Sequence, residues 1–428
     1  MKQPRSHPGH SYRITVSVVC CLVWILGTNP VVDAHTWAIS STTIHVNTTI
    51  DESNTDGDCS LREAIQAANT DTPVDGCPPG SGTDTILLPA GTFTLTKVGI
   101  DENFAATGDL DITNNLVIIG VSPTDTRING NHTDRIFDVL GSATLSLNKM
   151  TLYNGWIAAT GLYGGGAILN RETGTLELNQ VVLQGNTSQN VGGGIDNAGT
   201  ARLNFVTLDS NQATSESATV AGGAIYNGGS LMINNSLLSN NTAFNPNSLD
   251  YGGGLFNEYI ITLVNVTFSH CFADWGGGLF NQGIEANMYN VTFADNSTAI
   301  YTASPLRIKN SIVANSTAGE NCSGGGTITS LGHNIDNGSS CNFDLENTNP
   351  LLGPLADNLG LTYTHALLGG SPAIDSGDNN DCPDIDQRGA YRPADGDFNS
   401  TPICDIGAFE YQATFPIIIY LPILNKLG

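Results

Sequence analysis

One phrase recurs through the middle of the chain and restricts its fold more than any other feature. It appears as GGGAILN (Gly164–Asn170), GGGIDN (Gly192–Asn197), GGAIYN (Gly222–Asn227), GGGLFN (Gly252–Asn257) and GGGLFN (Gly276–Asn281). The closing asparagines stand 27, 30, 30 and 24 residues apart. A second phrase follows, L-x-L-x-N-V-x-L-x-x-N in outline, as in Leu176–Asn186, Leu231–Asn241, Ile261–Cys271 and Ala286–Asn296. Self-similarity at this period means a solenoid, a propeller or an array. Apolar and polar residues alternate within each phrase, which is strand periodicity, and no helical stripe is sustained. Propeller blades need about 40 residues, so these units are too short. The expected fold is all-β, a parallel β-helix.

Coils of such a solenoid lie about 4.8 Å apart, so equivalent side chains stack. Leu152, Leu183, Leu208, Leu238, Phe268, Phe293 and Val313 share one phrase position and are expected as an interior column. Leu178, Leu203, Ile233, Leu263, Met288 and Ile308 are expected as a second. Asn235, Asn265, Asn290 and Asn310 align at a corner, where stacked amides can bond along the axis. The glycine pairs suit positions of positive φ or close backbone approach.

The chain has 428 residues and a formal net charge of −25, with 13% charged and 40% hydrophobic residues. A polyanion without a basic stripe is not expected to bind nucleic acid, and the hydrophobic content argues against disorder. Lys2, Arg5 and Arg13 precede an apolar run, Ile14–Leu26, and Val32-Asp33-Ala34 offers a cleavage site. Residues 1–34 therefore read as a secretory signal peptide, with a retained signal anchor as the alternative. Of the seven cysteines that follow, six form close pairs, Cys59/Cys77, Cys322/Cys341 and Cys382/Cys404, and local disulfides are expected in an oxidising compartment. Cys271, in a slot that carries Asn in other repeats, is expected as a buried free thiol.

Ser60-Leu61-Arg62-Glu63 has the form of a helix capping box. Leu61, Ala64, Ile65 and Ala68 follow as an apolar stripe on a short helix that would plug the first coil. The organisation expected is a signal peptide (1–34), an N-terminal cap with that helix (35–80), a β-helix (81–320), a loop-rich C-terminal cap or anchor-type module (321–411) and an apolar tail (412–428). Phe415–Leu424 is too short to span a bilayer and carries Pro416 and Pro422; it reads either as a sorting or anchoring tail or as a last strand.

DCSLREAIQAAN (Asp58–Asn69) and DTILLPAGTFTLT (Asp84–Thr96) resemble the start of CSLREA-type secreted β-helix proteins. The GGA[IL] and [FL]-x-x-N phrases resemble repeats of the polymorphic outer-membrane protein family. HALLGGSPAIDSGD (His365–Asp378), DQRG (Asp386–Gly389) and CDIGAFEY (Cys404–Tyr411) resemble a choice-of-anchor C-terminal module. The resemblance implies a pectate-lyase-like right-handed β-helix outside the cell or on its surface, and no particular activity. Only 17 residues follow Tyr411, too few for the translocating barrel usual in the outer-membrane family.

Chemistry is sparse in the repeats. Asp196, Asp209, Glu216, Asp250, Glu258, Asp274, Glu285 and Asp295 are scattered and read as solvated outer-face acids rather than a catalytic set. Asp395, Asp397 and Asn399 place oxygens at every second residue, with Asp405 nearby. They read as a calcium loop or, equally, as a polar turn closed by Cys382–Cys404; no other cofactor is expected. Asp378, Asp384 and Asp386 form a weaker acidic cluster, and Tyr226, Phe256, Phe280, Tyr289 and Tyr301 are candidates for sugar stacking. Two functions are in play. The first is a monomeric, non-catalytic surface or extracellular protein that binds a glycan or a surface protein as an adhesin or scaffold. The second is a lyase or hydrolase of acidic polysaccharide.

Overall fold

Strands stacked in parallel register wind the chain into a right-handed parallel β-helix; the hand follows from the crossover rule for parallel strands in one sheet. The computed structural model describes residues 41–99, 102–158, 163–217 and 219–412. The signal peptide and the end of the apolar tail expected from sequence lie outside them. Among the described residues, no helix is long and apolar enough to cross a membrane.

Each full coil has three main faces, and the bends between them are made by single residues in the left-handed region. Thr175–Gln184, Ser230–Ser239 and Ile260–Ser269 each serve the first and second faces, bending at Gln180, Asn235 and Asn265 with φ of 55°, 51° and 54°. The next bend uses Gly185, Ser210, Asn240 and His270, with φ between 54° and 62°. Asparagine tolerates this region because its short amide bonds locally, which is why the repeats favour it. The third bend falls on the first glycine of each pair, as at Gly222 (φ +68°). A Cβ on its neighbour Gly223 would lie 2.2 Å from the Gly253 carbonyl oxygen, so the second glycine permits close approach between coils. The third face follows, with Ile168–Asn170, Ile195–Asn197, Ile225–Asn227, Leu255–Asn257 and Leu279–Asn281 in direct register.

Both expected interior columns are present. Leu183 pairs with Leu152 and Leu208, Leu208 with Leu238, Leu238 with Phe268, and Phe268 with Phe293, all fully buried. The second column extends toward the N-terminus through Leu147, Ile118, Ile86 and Ile44. Burying each such side chain contributes about 1.5–3 kcal/mol.

The amide ladders differ from expectation. Asn265 Nδ2 donates to Asn235 Oδ1 at 3.0 Å, but Asn290 and Asn310 turn outward to the carbonyls of Asp405 and Asp378. The long ladder instead joins the closing asparagines of the glycine phrase. Asn170, Asn197, Asn227, Asn257 and Asn281 donate each to the next at 2.6–2.8 Å, and Asn281 ends on Thr302. These amides are fully buried, where the side-chain bonds between coils replace water. A third ladder runs Asn186, Asn211, Asn241, and there Cys271 takes the next slot, buried and outside any disulfide, its thiol pushed up to about 12 by burial.

At the N-terminal end, Ser60 caps a helix over Leu61–Thr70 and Glu63 completes the capping box. The cap contributes about 1 kcal/mol. Arg62 on this helix is buried, yet bonds Asp51 and the carbonyls of Ala105, Gly108 and Asp109. A strand that the sequence pattern does not announce, Thr43–His45, precedes the helix and pairs with Thr85–Leu87. All three expected disulfides form: Cys59–Cys77, Cys322–Cys341 and Cys382–Cys404.

The coil continues past residue 320, through Ile328–Ser330 and Ile335–Asp336. The chain beyond then runs back along the outside of the second face as a strap. Thr362 bonds the Asn235 carbonyl, Gln387 accepts from Thr267, His365 meets Ser269 at 2.9 Å, and the Ala408 amide bonds Thr292. Ile312, Ala314, Ile335, Leu367, Ala373, Ile406 and Phe409 form a separate apolar cluster beneath it.

Candidate functional site

The structure gathers Asp395 and Asp397 and adds Asp375, with one carboxylate oxygen of each within 4.8 Å of the others. Backbone amides already engage these carboxylates. Asp375 accepts from Gly396 and Asp397, and Asp395 from Asn399 and Ser400. Asn399 turns its amide nitrogen to Asp397 at 2.8 Å. Asp405 stands behind the loop, fully buried, accepting from the Asp375 and Tyr411 amides. Burial and the neighbouring Glu410 push it up to about 8. Asp378, Asp384 and Asp386 do not form one cluster: Asp378 pairs with Lys309 at 2.9 Å and Asp386 with Arg388 at 2.7 Å.

A second acidic loop lies before the helix. Glu52, Asn54, Asp56, Gly57, Asp58 and Glu63 have the spacing of a twelve-residue calcium loop, a signal present in the sequence but masked by the capping-box pattern that shares Glu63. Glu63, however, spends both oxygens on the Asn54 and Ser60 amides.

The third face carries a more extended arrangement. The central residue of each of its strands points outward, and pairing puts Asp111, Asp138, Leu169, Asp196, Tyr226, Phe256, Phe280 and Tyr301 in one column. Its C-terminal half is aromatic. Tyr226 stacks on Phe256 at 5.3 Å, Phe256 on Phe280 at 5.0 Å and Phe280 on Tyr301 at 4.8 Å, all within 10° of parallel. A second row stands beside it, ahead of the glycine bend. Tyr251 meets Phe280 edge-on, and Trp275, 38% exposed, stacks on Tyr301. The Tyr226 hydroxyl donates to Glu258, which also accepts from Gln282 at 2.9 Å. Of the five aromatics expected to stack on sugar, four form this column. Tyr289 lies on the first face, in register with Val264 and Lys309.

The N-terminal half is acidic and covered. Asp109, Asp111 and Asp138 are 7%, 0% and 2% exposed, with one carboxylate oxygen of each within 4.8 Å of the others. Arg135 bonds Asp109 at 2.6 Å, and Arg171 forks both oxygens of Asp138 at 2.9 and 2.6 Å while lying over the Tyr163 ring. Arg135 also donates to the Gly164 carbonyl, whose own amide donates to Asp196 at 2.8 Å. Burial raises Asp109 well above the usual carboxylate range, Asp111 to about 7 and Asp196 to about 6.

Asp196 is therefore not the solvated surface acid that its sequence context suggests; it is 4% exposed. Asp109, Asp111 and Asp138 do not stand out in the sequence, because they sit in degenerate copies without the glycine phrase. One signal is present: Leu110-Asp111-Ile112 and Phe137-Asp138-Val139 carry the same apolar–Asp pattern as Ile195-Asp196-Asn197. Asp209 and Asp295 stay apart from this column, Asp209 bonding Ser239 and Asn240 on the second face.

No family model and no curated protein matches the chain. Among solved structures it is similar to the crystal structure of pectate lyase Pel9A, at 13% identity and a TM-score of 0.43, covering 88% of this chain and 98% of that one. The fold assignment rests on the strand pairings, and no activity follows from so distant a likeness.

Proposed function

We propose that this chain is an extracellular, non-catalytic β-helix protein that binds glycan along its third face. One observation carries the reading: an aromatic rim of Tyr226, Tyr251, Trp275 and Tyr301, partly exposed and held in place by the buried rings of Phe256 and Phe280. Stacked rings on neighbouring strands are rigid before any ligand arrives, so little side-chain entropy is lost on binding. Trp275 and the partly exposed tyrosines offer apolar surface beside the polar groups of Glu258 and Gln282. An apolar body with a polar edge suits a sugar ring. The three disulfides are consistent with an extracellular setting.

The acids of the same face support binding over turnover. Both oxygens of Asp138 are engaged by Arg171, so that carboxylate is held in an ion pair rather than poised as a base. A test is binding of the mature protein to an array of neutral and uronate-containing polysaccharides. Retention on some of them, lost on Trp275→Ala, is the expected result; no binding on a broad array sinks the reading.

A polysaccharide hydrolase or lyase is the second reading, and Asp196 favours it. A buried carboxyl held at about 6 is suited to donate a proton, and Asp196 stands two coils, about 10 Å, from Asp138. Release of reducing or unsaturated ends from uronate polymers, abolished by Asp196→Asn, would establish it.

A further inference from the structure

We infer that Asp109, Asp111 and Asp138 hold a hard divalent cation of the calcium class at the N-terminal end of the third face. The three are buried side chains whose nearest oxygens lie within 4.8 Å of one another. That span is what oxygen ligands show when each sits 2.3–2.6 Å from a shared ion. A second observation points the same way. One oxygen of Asp111 accepts from the Ala105 amide at 2.8 Å, while the other is buried with no hydrogen-bond donor among the described residues. An orphaned carboxylate oxygen in a dry site is costly unless a cation or a proton meets it.

Charge makes the same demand. Asp109, Asp111, Asp134, Asp138 and Asp196 lie near one another here, and among the described residues Arg135 and Arg171 are the cations bonded to them. The surplus negative charge is held away from water. The arginines bond Asp109 and Asp138 and fix their orientation, as outer partners of metal-bound carboxylates do. All the ligand atoms are oxygens, which selects calcium or magnesium over softer metals, and the loose carboxylate geometry favours the larger ion. This inference does not depend on glycan binding, and its test contains no sugar.

The experiment strips the mature protein with EDTA and titrates calcium alone, by calorimetry and by thermal melting. Asp111→Asn is the variant; Asp397→Asn and Asp56→Asn control for the other two acidic loops. The wild type is expected to bind calcium and to melt several degrees higher with it. Asp111→Asn is expected to weaken that binding at least tenfold while both controls keep it. In EDTA, Asp111→Asn should melt no lower than wild type, because it removes the orphaned charge. If Asp111→Asn does not fold, crystals of the wild type grown with manganese give the second measurement, an anomalous peak between the three carboxylates. Unchanged calcium binding in folded Asp111→Asn, no binding of calcium, magnesium or manganese by the wild type, or no anomalous peak overturns the proposal.

Discussion

At one end of the third face the outward positions hold Asp111, Asp138 and Asp196; at the other they hold Tyr226, Phe256, Phe280 and Tyr301, on the same backbone and in the same register. Under both halves the inward residues are apolar and buried, Leu110, Phe137, Ile168, Ile195, Ile225, Leu255 and Leu279. The contrast teaches that in a solenoid the tube is specified by what points in. The outward column is free to change chemistry from coil to coil, because a neighbour one coil away sets its surroundings. Acids placed there become buried and need partners. Aromatics placed there stack on each other.

The comparison breaks first if inward positions turn out to be dispensable. Phe268→Ala removes a ring stacked at 4.6 Å on Phe293 in the interior column and is expected to cost about 3–5 kcal/mol in urea unfolding, whichever half lies outside it. A loss below about 1 kcal/mol contradicts it. The acidic half should show itself in pH dependence. The folded pKa of Asp196, at about 6, is raised above its ordinary value, so its contribution to stability is full below about pH 4 and is lost as pH rises through 6. Asp196→Asn should therefore flatten the fall in stability between pH 4 and 7 by up to about 3 kcal/mol, whereas Tyr251→Phe in the aromatic half leaves the slope untouched. Arg171→Ala removes both guanidinium hydrogen bonds from Asp138 and is expected to cost about 2 kcal/mol in urea unfolding; the ion pair is partly exposed, which moderates the loss. The smallest stability effect belongs to Trp275→Ala, below about 0.5 kcal/mol, paired with about a tenfold loss of glycan retention. A large loss of stability there would mean the second aromatic row is part of the scaffold rather than a binding edge.

Much of the tube is legible in the sequence because stacking repeats its demands. Leu183, Leu208 and Leu238 are the same phrase position, and strand pairing puts them in direct register. Aligning the phrases alone places Cys271 in an asparagine slot, and the paired cysteines and Ser60 capping box follow from local spacing. What escapes depends on contacts without a period. His365 meets Ser269 and Gln387 meets Thr267 across 96 and 120 residues, and no motif announces such partners. Asn290 and Asn310 occupy the expected ladder position, yet the strap takes their amides. Asp405 is close to Asp395 in sequence but is drawn beneath the loop toward Glu410, while Asp375, far earlier in the chain, faces it. The acidic half is hidden for a different reason: Asp111 and Asp138 sit in coils too worn for the repeat to align them by eye.

The strap also decides how the molecule would come apart under tension. A bare coil can unwind one turn at a time from either tip. Here the final segment is laced to the coils at Asn235, Thr267, Thr292 and Asn310, so those turns are stitched together and must let go as a group. A pull along the axis would thus unspool the turns ahead of Asn235 first, leaving the laced portion as the last to yield.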